Sequence, residues 1–593
     1  MNGLINDLRF ALRMLLKSPG FTAIAVATLA LGIGANTAIF SVVNALLLKP
    51  LPFPAPDQLV AFGGIDTRFK GTQTTLGSLS YPDFFDFRDQ NHTLANIAVF
   101  NDRSFALASE QGATSVHTVK ASAEFFDVLG INPVIGRKFS RADDQAGGGP
   151  GGFKVVISDS FWRQHFGGDP QVIGRTVEID RRVHTVIGVM PPGFEYPIQN
   201  DPIDLYVTIA ADASTADGTK PLTQQRGSHS LEAIARLKPQ VSLEQAQADL
   251  AMIAATLEKQ YPTTNSYFGV RFKPLREELI GDVRAALYVL FGAVVCVLLI
   301  ANANVANLLL SRALVRGKEV ALRAAVGASR ARIIRQLLTE SLLLACFGGL
   351  CGLLLAQWGT EALIKTVPQN IPRISTIRLD AVVLAFTVLV SLGTGIVFGL
   401  FPAWQASHVD LNSSLKSGSR TGGVGEHRGR LRNGLVVGQV ALALVLLICA
   451  GLLIQSFARL GRVQPGLRTE HLLTASIRLP GVSYPTNEKI IAFYDSFLEK
   501  VRALPGVESA SAIVPLPLSG SNMVTDFDMA DHPLPEGERS DSPVRIIGTD
   551  YFKTMGIPLR KGRAFDQTDR IDSPPVVIVN ERFADKFFPG QDV

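Results

Sequence analysis

The sequence is poor in the residues that enzymes and secreted disulfide scaffolds depend on. It has only four cysteines, and Cys296, Cys346, Cys351 and Cys449 all fall inside apolar runs. None lies in a polar stretch, and there is no CxxC or Cys/His ligand spacing, which excludes a disulfide framework and a zinc site. Their expected role is that of small buried apolar residues. The nine histidines are scattered, with none paired at metal-ligand spacing. No GxxxxGKS/T phosphate loop, no GxGxxG after a strand, no HExxH and no GxSxG is present. The glycine-rich GGGPGGF at 147–153 lacks the lysine and the following helix of a phosphate loop and reads as a surface loop. Charge is scarce as well. Charged residues make up 18% of the chain, where a soluble protein carries about a quarter. The net charge of +5 is mild, and the basic residues sit beside apolar runs, so they read as topology signals and not as a nucleic-acid footprint.

What the chain has instead is concentrated apolar sequence. Hydrophobic residues account for 47% of 593, and the mean hydropathy is +0.23. Runs at 21–48, 285–310, 334–364, 379–404 and 434–457 each approach or exceed the ~20 residues that cross a bilayer as a helix. Residues 1–20 form a short amphipathic helix suited to a membrane face, with Leu4, Leu8 and Leu12 on one side and Arg9, Arg13 and Lys17 elsewhere. The apolar run after it is too long for a cleaved signal peptide.

Arginine and lysine fix the expected sidedness. They are dense at Arg9, Arg13 and Lys17, in the loop 311–333 and at its exit (Arg312, Arg316, Lys318, Arg323, Arg330, Arg332, Arg335), and in the linker 405–433 (Lys416, Arg420, Arg428, Arg430, Arg432). The loop between the third and fourth spans has only Lys365, Arg373 and Arg378. By the positive-inside rule the N-terminus is cytoplasmic, and the polar regions 49–282 and 458–593 lie outside.

The first polar region reads as a mixed α+β domain. SYPDFFDFRDQ is a short aromatic-faced helix, KVVISDS a strand, FWRQHFGG a helix, and RTVEIDRRVHTVIGVM a strand pair turning at 180–182. SHSLEAIARLKP, SLEQAQADLAMIAATLEKQY and YFGVRFKPLRE make a β-α-β unit, with Ser242 and Gln245 forming a capping box. The second region repeats the first. EFFDVLGINPVIGRKFSRADD at 124–144 matches DYFKTMGIPLRKGRAFDQTDR at 550–570, and KVVISDSFWRQHFGGDP at 154–170 matches PVVIVNERFADKFFPGQD. In the first copy VIGRTVEIDRRVHTVIGVM comes next, whereas the sequence ends at Val593 in the second. The expectation is an incomplete second domain, with a further set of three spans beyond it. The fold class is therefore an α-helical membrane protein with α+β extracytoplasmic domains, five transmembrane helices and a tandem duplication of span plus domain.

Inside the spans, Asn36, Asn44, Asn302, Asn304 and Asn307 are expected to hydrogen-bond between helices. Gly348xxxGly352 and Gly395xxxGly399 suit close helix packing. The basic loop between spans two and three has more structure than topology requires. Residues 315–326 read as a helix whose Val320, Ala321, Ala324 and Ala325 form a small-residue face, with Glu319 and Arg323 paired four apart in the favourable order. Gly327 is a natural helix stop, and Ser329 is placed to cap the next helix.

The segment RGKEVALRAAVGASRARIIRQLLTESLLLACFGGLCG resembles the signature of the MacB/FtsX/LolE-type ABC transporter permeases, in the duplicated orphan form. FFDVLGINPVIGRKFS and FWRQHFGGDPQVIGRTVEIDRRVHTVIGVMPPGF resemble the MacB periplasmic core domain. The resemblance covers essentially the whole chain. It implies a non-catalytic permease subunit in a bacterial inner membrane, with no cofactor of its own and ATP bound by a separate ABC ATPase. It further implies a cytoplasmic coupling helix at 315–326 that docks on that ATPase, giving Arg316, Lys318, Glu319, Arg323, Gly327, Ala328, Ser329 and Arg330 as candidate coupling residues. ATP-driven motion would reach the periplasmic domains and export or extract a periplasmic or membrane-derived substrate. The implied partners are the ATPase, membrane lipid and a periplasmic adaptor or outer-membrane channel, with no nucleic acid, in a dimer or an intramolecular pseudo-dimer. The alternative is a transmembrane signalling scaffold that controls a periplasmic hydrolase without transport.

Overall fold

The computed structural model describes residues 2–69, 75–109, 112–198, 202–212, 220–315, 326, 329–366, 377–407, 425–463, 465–477, 479, 483–484, 486–519, 523–529, 540–570 and 572–591. These divide into a helical unit (1–52, 196–201 and 276–462) and a sheet-containing unit (53–195, 202–275 and 463–593).

In the helical unit, α1 (Asn2–Leu16) turns Ala11 and Leu15 into the protein and leaves Ile5, Leu8, Leu12 and Leu16 exposed along one face. That exposed stripe is the lipid-facing side expected of an amphipathic surface helix. Ser18 and Pro19 break it, and α2 (Pro19–Val43) follows, ending in a π-helical turn at Asn44–Leu48. The helix that corresponds to the second expected span begins at Leu275, upstream of the polar-to-apolar boundary at 282, because LREELIGD is itself good helical sequence. Helices α3 to α7 are Tyr81–Gln90, Phe125–Leu129, Asp159–Phe166, Leu243–Gln260 and Pro262–Asn265, and α8 is Leu275–Val315. Then come α9 (Arg330–Thr366), α10 (Ala381–Ser407) and α11 (Gly425–Gly461). Among the described residues, four helices are long and apolar enough to cross a membrane, and Ala381–Val397 of α10 is a fifth, shorter apolar helix.

The glycines are where the helices approach most closely. A Cβ on Gly34 would stand 2.8 Å from the Gly352 carbonyl oxygen, and one on Gly399 would stand 2.5 Å from the Ser341 Cβ. α2 against α9, and α9 against α10, therefore pack at distances that only glycine allows on one side, which is how helices associate where apolar burial gives no driving force. Around these seams Leu15, Ala25, Leu29, Ile33, Val305 and Leu344 form one buried cluster. The cysteines depart from expectation. Cys346, Cys351 and Cys449 are exposed and Cys296 half-buried, and all four are free thiols. A membrane helix keeps apolar residues on its outer face too, so an apolar run does not reveal which of its positions are covered by protein.

The sheet-containing unit is built on a ten-stranded sheet in the order β10-β1-β9-β2-β3-β8-β5-β7-β4, where β4 is Ile135–Gly136 and β6 pairs β2 and β7 off that path. The strands used below are β1 (Leu59–Asp66), β2 (Leu94–Ser109), β3 (Gly112–Ala121), β5 (Lys154–Ile157), β6 (Thr176–Ile179), β7 (Arg182–Val189), β8 (Leu205–Thr208), β9 (Glu232–Leu237) and β10 (Phe268–Pro274). The β9-α6-β10 unit is present, but β1 is inserted between its two strands and runs antiparallel to both. The Ser242–Gln245 capping box starts α6. Two cores divide the domain. One gathers Phe62, Phe84, Phe87, Leu250 and Leu257 beneath β1, β9 and α6. The other gathers Val155, Ile157, Phe161, Val186 and Leu205 around β5, β7 and α5.

The internal repeat is visible as geometry. In the first copy α4 ends at Gly130 in the left-handed conformation, and the Arg137 guanidinium donates two bonds to Asp143, at 2.6 and 3.0 Å. In the second, Tyr551–Met555 ends at left-handed Gly556, and Arg563 donates two bonds to Asp569, at 2.7 and 2.6 Å. Ser158 and Asn580 then cap equivalent helices by accepting the Phe161 and Phe583 N–H groups. The copies differ at the next residue: Asp144 in the first stands where Arg570 stands in the second. They differ again at β5, whose second-copy counterpart has Val576 and Val577 exposed and no strand partner among the described residues.

Candidate functional site

Of the candidate coupling residues, Arg316, Lys318, Glu319, Arg323, Gly327 and Ala328 lie outside the described residues, as does most of the predicted helix 315–326. Ser329 and Arg330 are described, and both are exposed at the start of α9. Ser329 occupies the capping position: its carbonyl accepts the Arg332 and Ile333 N–H groups at 3.0 and 3.2 Å.

The structure adds a partner for the loop that sequence reasoning missed. Helix α1 holds both of its flanks. On the entry side, Arg312 near the end of α8 donates to the Met14 carbonyl at 3.0 Å and to the Ser18 hydroxyl at 2.6 Å, while its guanidinium lies 4.5 Å from the Phe21 ring centroid. On the exit side, Arg335 of α9 donates to Asp7 at 2.7 Å. The signal available in the sequence was Asp7 itself, the only acidic residue among the first twenty. At the opposite end of the bundle, Asp380 caps α10 by accepting the Val382 and Val383 N–H groups, both at 3.1 Å, and takes the Asn44 amide at 3.1 and 3.3 Å. Polar contacts thus fasten each end of the bundle through different elements: α1 with α8 and α9 at one end, and the start of α10 with the π-helical turn after α2 at the other.

Some of the span asparagines make the expected interhelical bonds, whereas the Oδ1 atoms of Asn302 and Asn307 are buried without a hydrogen-bond partner among the described residues. Asn36 donates to the Val294 carbonyl at 2.7 Å, and Asn304 accepts from Gln439 at 2.9 Å, which links α8 to α11. No group of three or more His, Cys, Asp or Glu residues placed to hold a metal occurs among the described residues.

Two carboxylates in the sheet domain are tuned in opposite directions. Asp83 is fully buried and lies in the first turn of α3. Burial alone would raise its pKa, but bonds from His229, Asn265 and Ser80 outweigh it and hold the group below its ordinary value. Asp144 goes the other way. Burial pushes it up to about 6, the nearby Glu124 charge adds to this, and the bonds from Ala210 N–H, Ala123 N–H and the Tyr81 hydroxyl only partly offset it. Its neighbour Asp143 is held at about 2, because the Arg137 and Ser140 bonds overcome the cost of burial. A raised carboxyl contributes stability that is complete below the unfolded value of 3.8 and is lost as pH rises through about 6. At about 1.4 kcal/mol per unit, the span is about 3 kcal/mol. Thermal unfolding of the detergent-solubilised chain should therefore lose stability from pH 4 to 6, and Asp144→Asn should flatten that segment of the profile. An Asp144→Asn profile that keeps the wild-type slope would show that another group titrates there.

With this geometry in place, the comparisons with known proteins are specific. The MacB-like periplasmic core domain family matches residues 22–253 and 434–593, and the FtsX-like permease C-terminal family matches 291–411. The macrolide export ATP-binding/permease protein MacB of Neisseria gonorrhoeae is 25% identical over 291 residues, covering 48% of this chain and 41% of that protein. The pyoverdine export ATP-binding/permease protein PvdT of Pseudomonas syringae pv. tomato is 28% identical over 287 residues, covering 48% and 40%. The chain thus spans about two fifths of the length of these relatives, and it corresponds to their permease part. Among solved structures, the periplasmic region of MacB from Actinobacillus actinomycetemcomitans aligns with a TM-score of 0.26 at 15% identity, over 36% of this chain and 88% of that one. The two family matches cover both copies of the polar domain and the spans between them, and the chain belongs to the MacB/FtsX family of ABC transporter permeases.

Proposed function

We propose that this permease receives the motion of a separate ABC ATPase on the loop 316–328 and passes it along α8 and α9 to its periplasmic domains, exporting or extracting a periplasmic or membrane-derived substrate. The observation that carries this reading is the double attachment of α1. A loop that served only to fix topology needs bulk positive charge. Here the helices on both sides of it are tied to one surface helix, through Arg312 and Arg335, so a push on the loop meets a braced lever. The basic-residue bias supports a cytoplasmic position for this end of the helices and for the N-terminus. The relatives' names, macrolide export and pyoverdine export, favour transport over control of a hydrolase. The apolar faces of α11, with Leu453 and Phe457 exposed, suit packing against lipid or a second helix set in a dimer or pseudo-dimer.

The test is a photo-crosslinking amino acid placed at Ser329 in cells of the source organism, followed by identification of the adduct. The expected product is a covalent complex with an ABC ATPase subunit, formed from the cytoplasmic side. A crosslink to a periplasmic protein, or efficient crosslinking that yields no ATPase, would overturn both the orientation and the coupling role.

A further inference from the structure

The sheet domain contains a cavity that the coupling mechanism does not use. It holds about 110 Å³, and Phe105, Phe153, Lys120, Lys154, Arg182 and Asp180 are among the residues that line it. Three side-chain cations meet a single carboxylate there, on walls that are otherwise aromatic or aliphatic.

The pocket is assembled from separate strands and held firmly. The β6–β7 hairpin turns at Asp180 and Arg181, both in the left-handed region with φ of 48° and 62°. Its tip is pinned to β2: Asp180 N–H donates to the Ala106 carbonyl at 2.9 Å, and the Asp180 carboxylate accepts the Ala106 N–H at 3.2 Å. Lys120 of β3 stands beside Val207 of β8 in parallel register, and Lys154 of β5 stands beside Thr185 of β7. The cations are drawn onto the aromatic walls. The Lys120 ammonium lies 5.1 Å from the Phe105 ring centroid, and the Arg182 guanidinium lies 5.2 Å from that of Phe153. His184 is buried behind them, its Nδ1–H donating to the Arg182 carbonyl at 2.9 Å.

Such a site combines what a small organic anion requires. Half-buried cations bind carboxylate through charge-assisted bonds stronger than neutral ones, and flat apolar walls accept a compact hydrophobic body. Size sets the upper limit: an apolar cavity of about 150 Å³ accommodates benzene, and this one, at about 110 Å³, is smaller. We infer that the cavity between the β6–β7 hairpin, β3 and β5 is a binding site for a small organic anion, a carboxylate borne on an apolar body smaller than a benzene ring.

The test uses the full chain in detergent and titration calorimetry with three probes of one shape: isobutyrate, isobutanol and isobutylamine. Isobutyrate is expected to bind, with affinity falling as salt rises, while the neutral and cationic probes bind at least tenfold more weakly. Arg182→Gln and Lys120→Gln are each expected to weaken isobutyrate at least tenfold with the melting temperature unchanged, and Arg182→Lys to recover part of the loss. Equal binding of isobutanol to the wild-type chain, absence of isobutyrate binding at millimolar concentration, or unchanged affinity in either glutamine variant would overturn the assignment. The wild-type comparison decides the matter even if a variant fails to fold.

Discussion

Replacing Asp83 by alanine is expected to destabilise the sheet domain by about 3–5 kcal/mol, the cost of breaking a buried ion pair from one side. The carboxylate has 0% side-chain exposure. Its Oδ1 accepts Arg226 Nη1 at 2.7 Å and the Asn265 amide at 2.9 Å, and its Oδ2 accepts the Ser80 hydroxyl at 2.7 Å and His229 Nε2 at 3.2 Å. Alanine leaves all four donors facing a small cavity, with Arg226 keeping only Asp86, at 2.7 Å, and the Tyr261 ring. The four partners come from the start of α3, from residues 226 and 229, and from α7, so losing the carboxylate loosens three segments at once. Asp83→Asn keeps the volume but turns a donor toward donors, and should recover only part of the loss. Urea unfolding followed by Trp162, the only tryptophan outside the helical unit, measures the change, and a loss below about 1 kcal/mol in Asp83→Ala would show that the network is not a stabilising one. The pH sign is opposite to that of Asp144. A depressed carboxylate contributes stability above the ordinary value of 3.8 and loses it as pH falls through the folded value. The Asp83 contribution therefore fails below about pH 4, where that of Asp144 is complete.

Most of this architecture was legible because its signals are local. Apolar runs gave the spans, Ser242 and Gln245 gave the start of α6, and the Asp180–Arg181 turn followed from two alternating strands flanking it. Long-range partners leave no such trace. Nothing near Leu59–Asp66 indicates that β1 inserts between β9 and β10, since the pairing is set by strands more than 170 positions away in sequence. Asp83 has the same difficulty. SYPD marks a helix start, but an acidic residue among aromatic ones becomes conspicuous only when Arg226, His229 and Asn265 arrive beside it. The repeat shows what one substitution does to such a site. Both copies keep the arginine–aspartate clamp, at Arg137–Asp143 and Arg563–Asp569, because it closes a local loop on its own. The buried carboxyl at Asp144 has no such local closure, because it depends on Tyr81 and Ala210 from elsewhere in the first copy, and the second copy has Arg570 at that position. The coupling residues belong to the same lesson from the other side: the sequence pattern of 315–330 carried the reading, and the structure contributed the α1 attachment that no local pattern announces.

The largest functional effect is expected at that loop. Reconstituted with the ABC ATPase that the proposed function requires, the permease should raise ATP turnover, and Glu319→Arg should remove that stimulation, by at least tenfold toward the level of the ATPase alone. A motor shifts the equilibrium of the permease only through contacts that differ between its states, so the docking helix must have a defined shape and charge pattern. On the sequence reading, Glu319 and Arg323 form the i,i+4 pair of that helix. Arginine at 319 places two like charges one turn apart, and the same spacing that stabilised the helix then opposes it. Gly327→Pro attacks the other property. On the same sequence reading, glycine at 327 is suited to the left-handed conformation that ends a helix, whereas proline is locked near a φ of −65°, so the chain would be expected to enter α9 at the wrong angle even with every charge in place. Both variants keep the net positive charge that sets topology, so protease protection of the periplasmic domains should be unchanged and the protein should still insert. Loss of stimulation with insertion intact places the coupling in the shape of this loop. Retained stimulation in both variants would reduce the loop to a topology anchor and move the search for the ATPase contact to α1, where Asp7 and Arg335 meet.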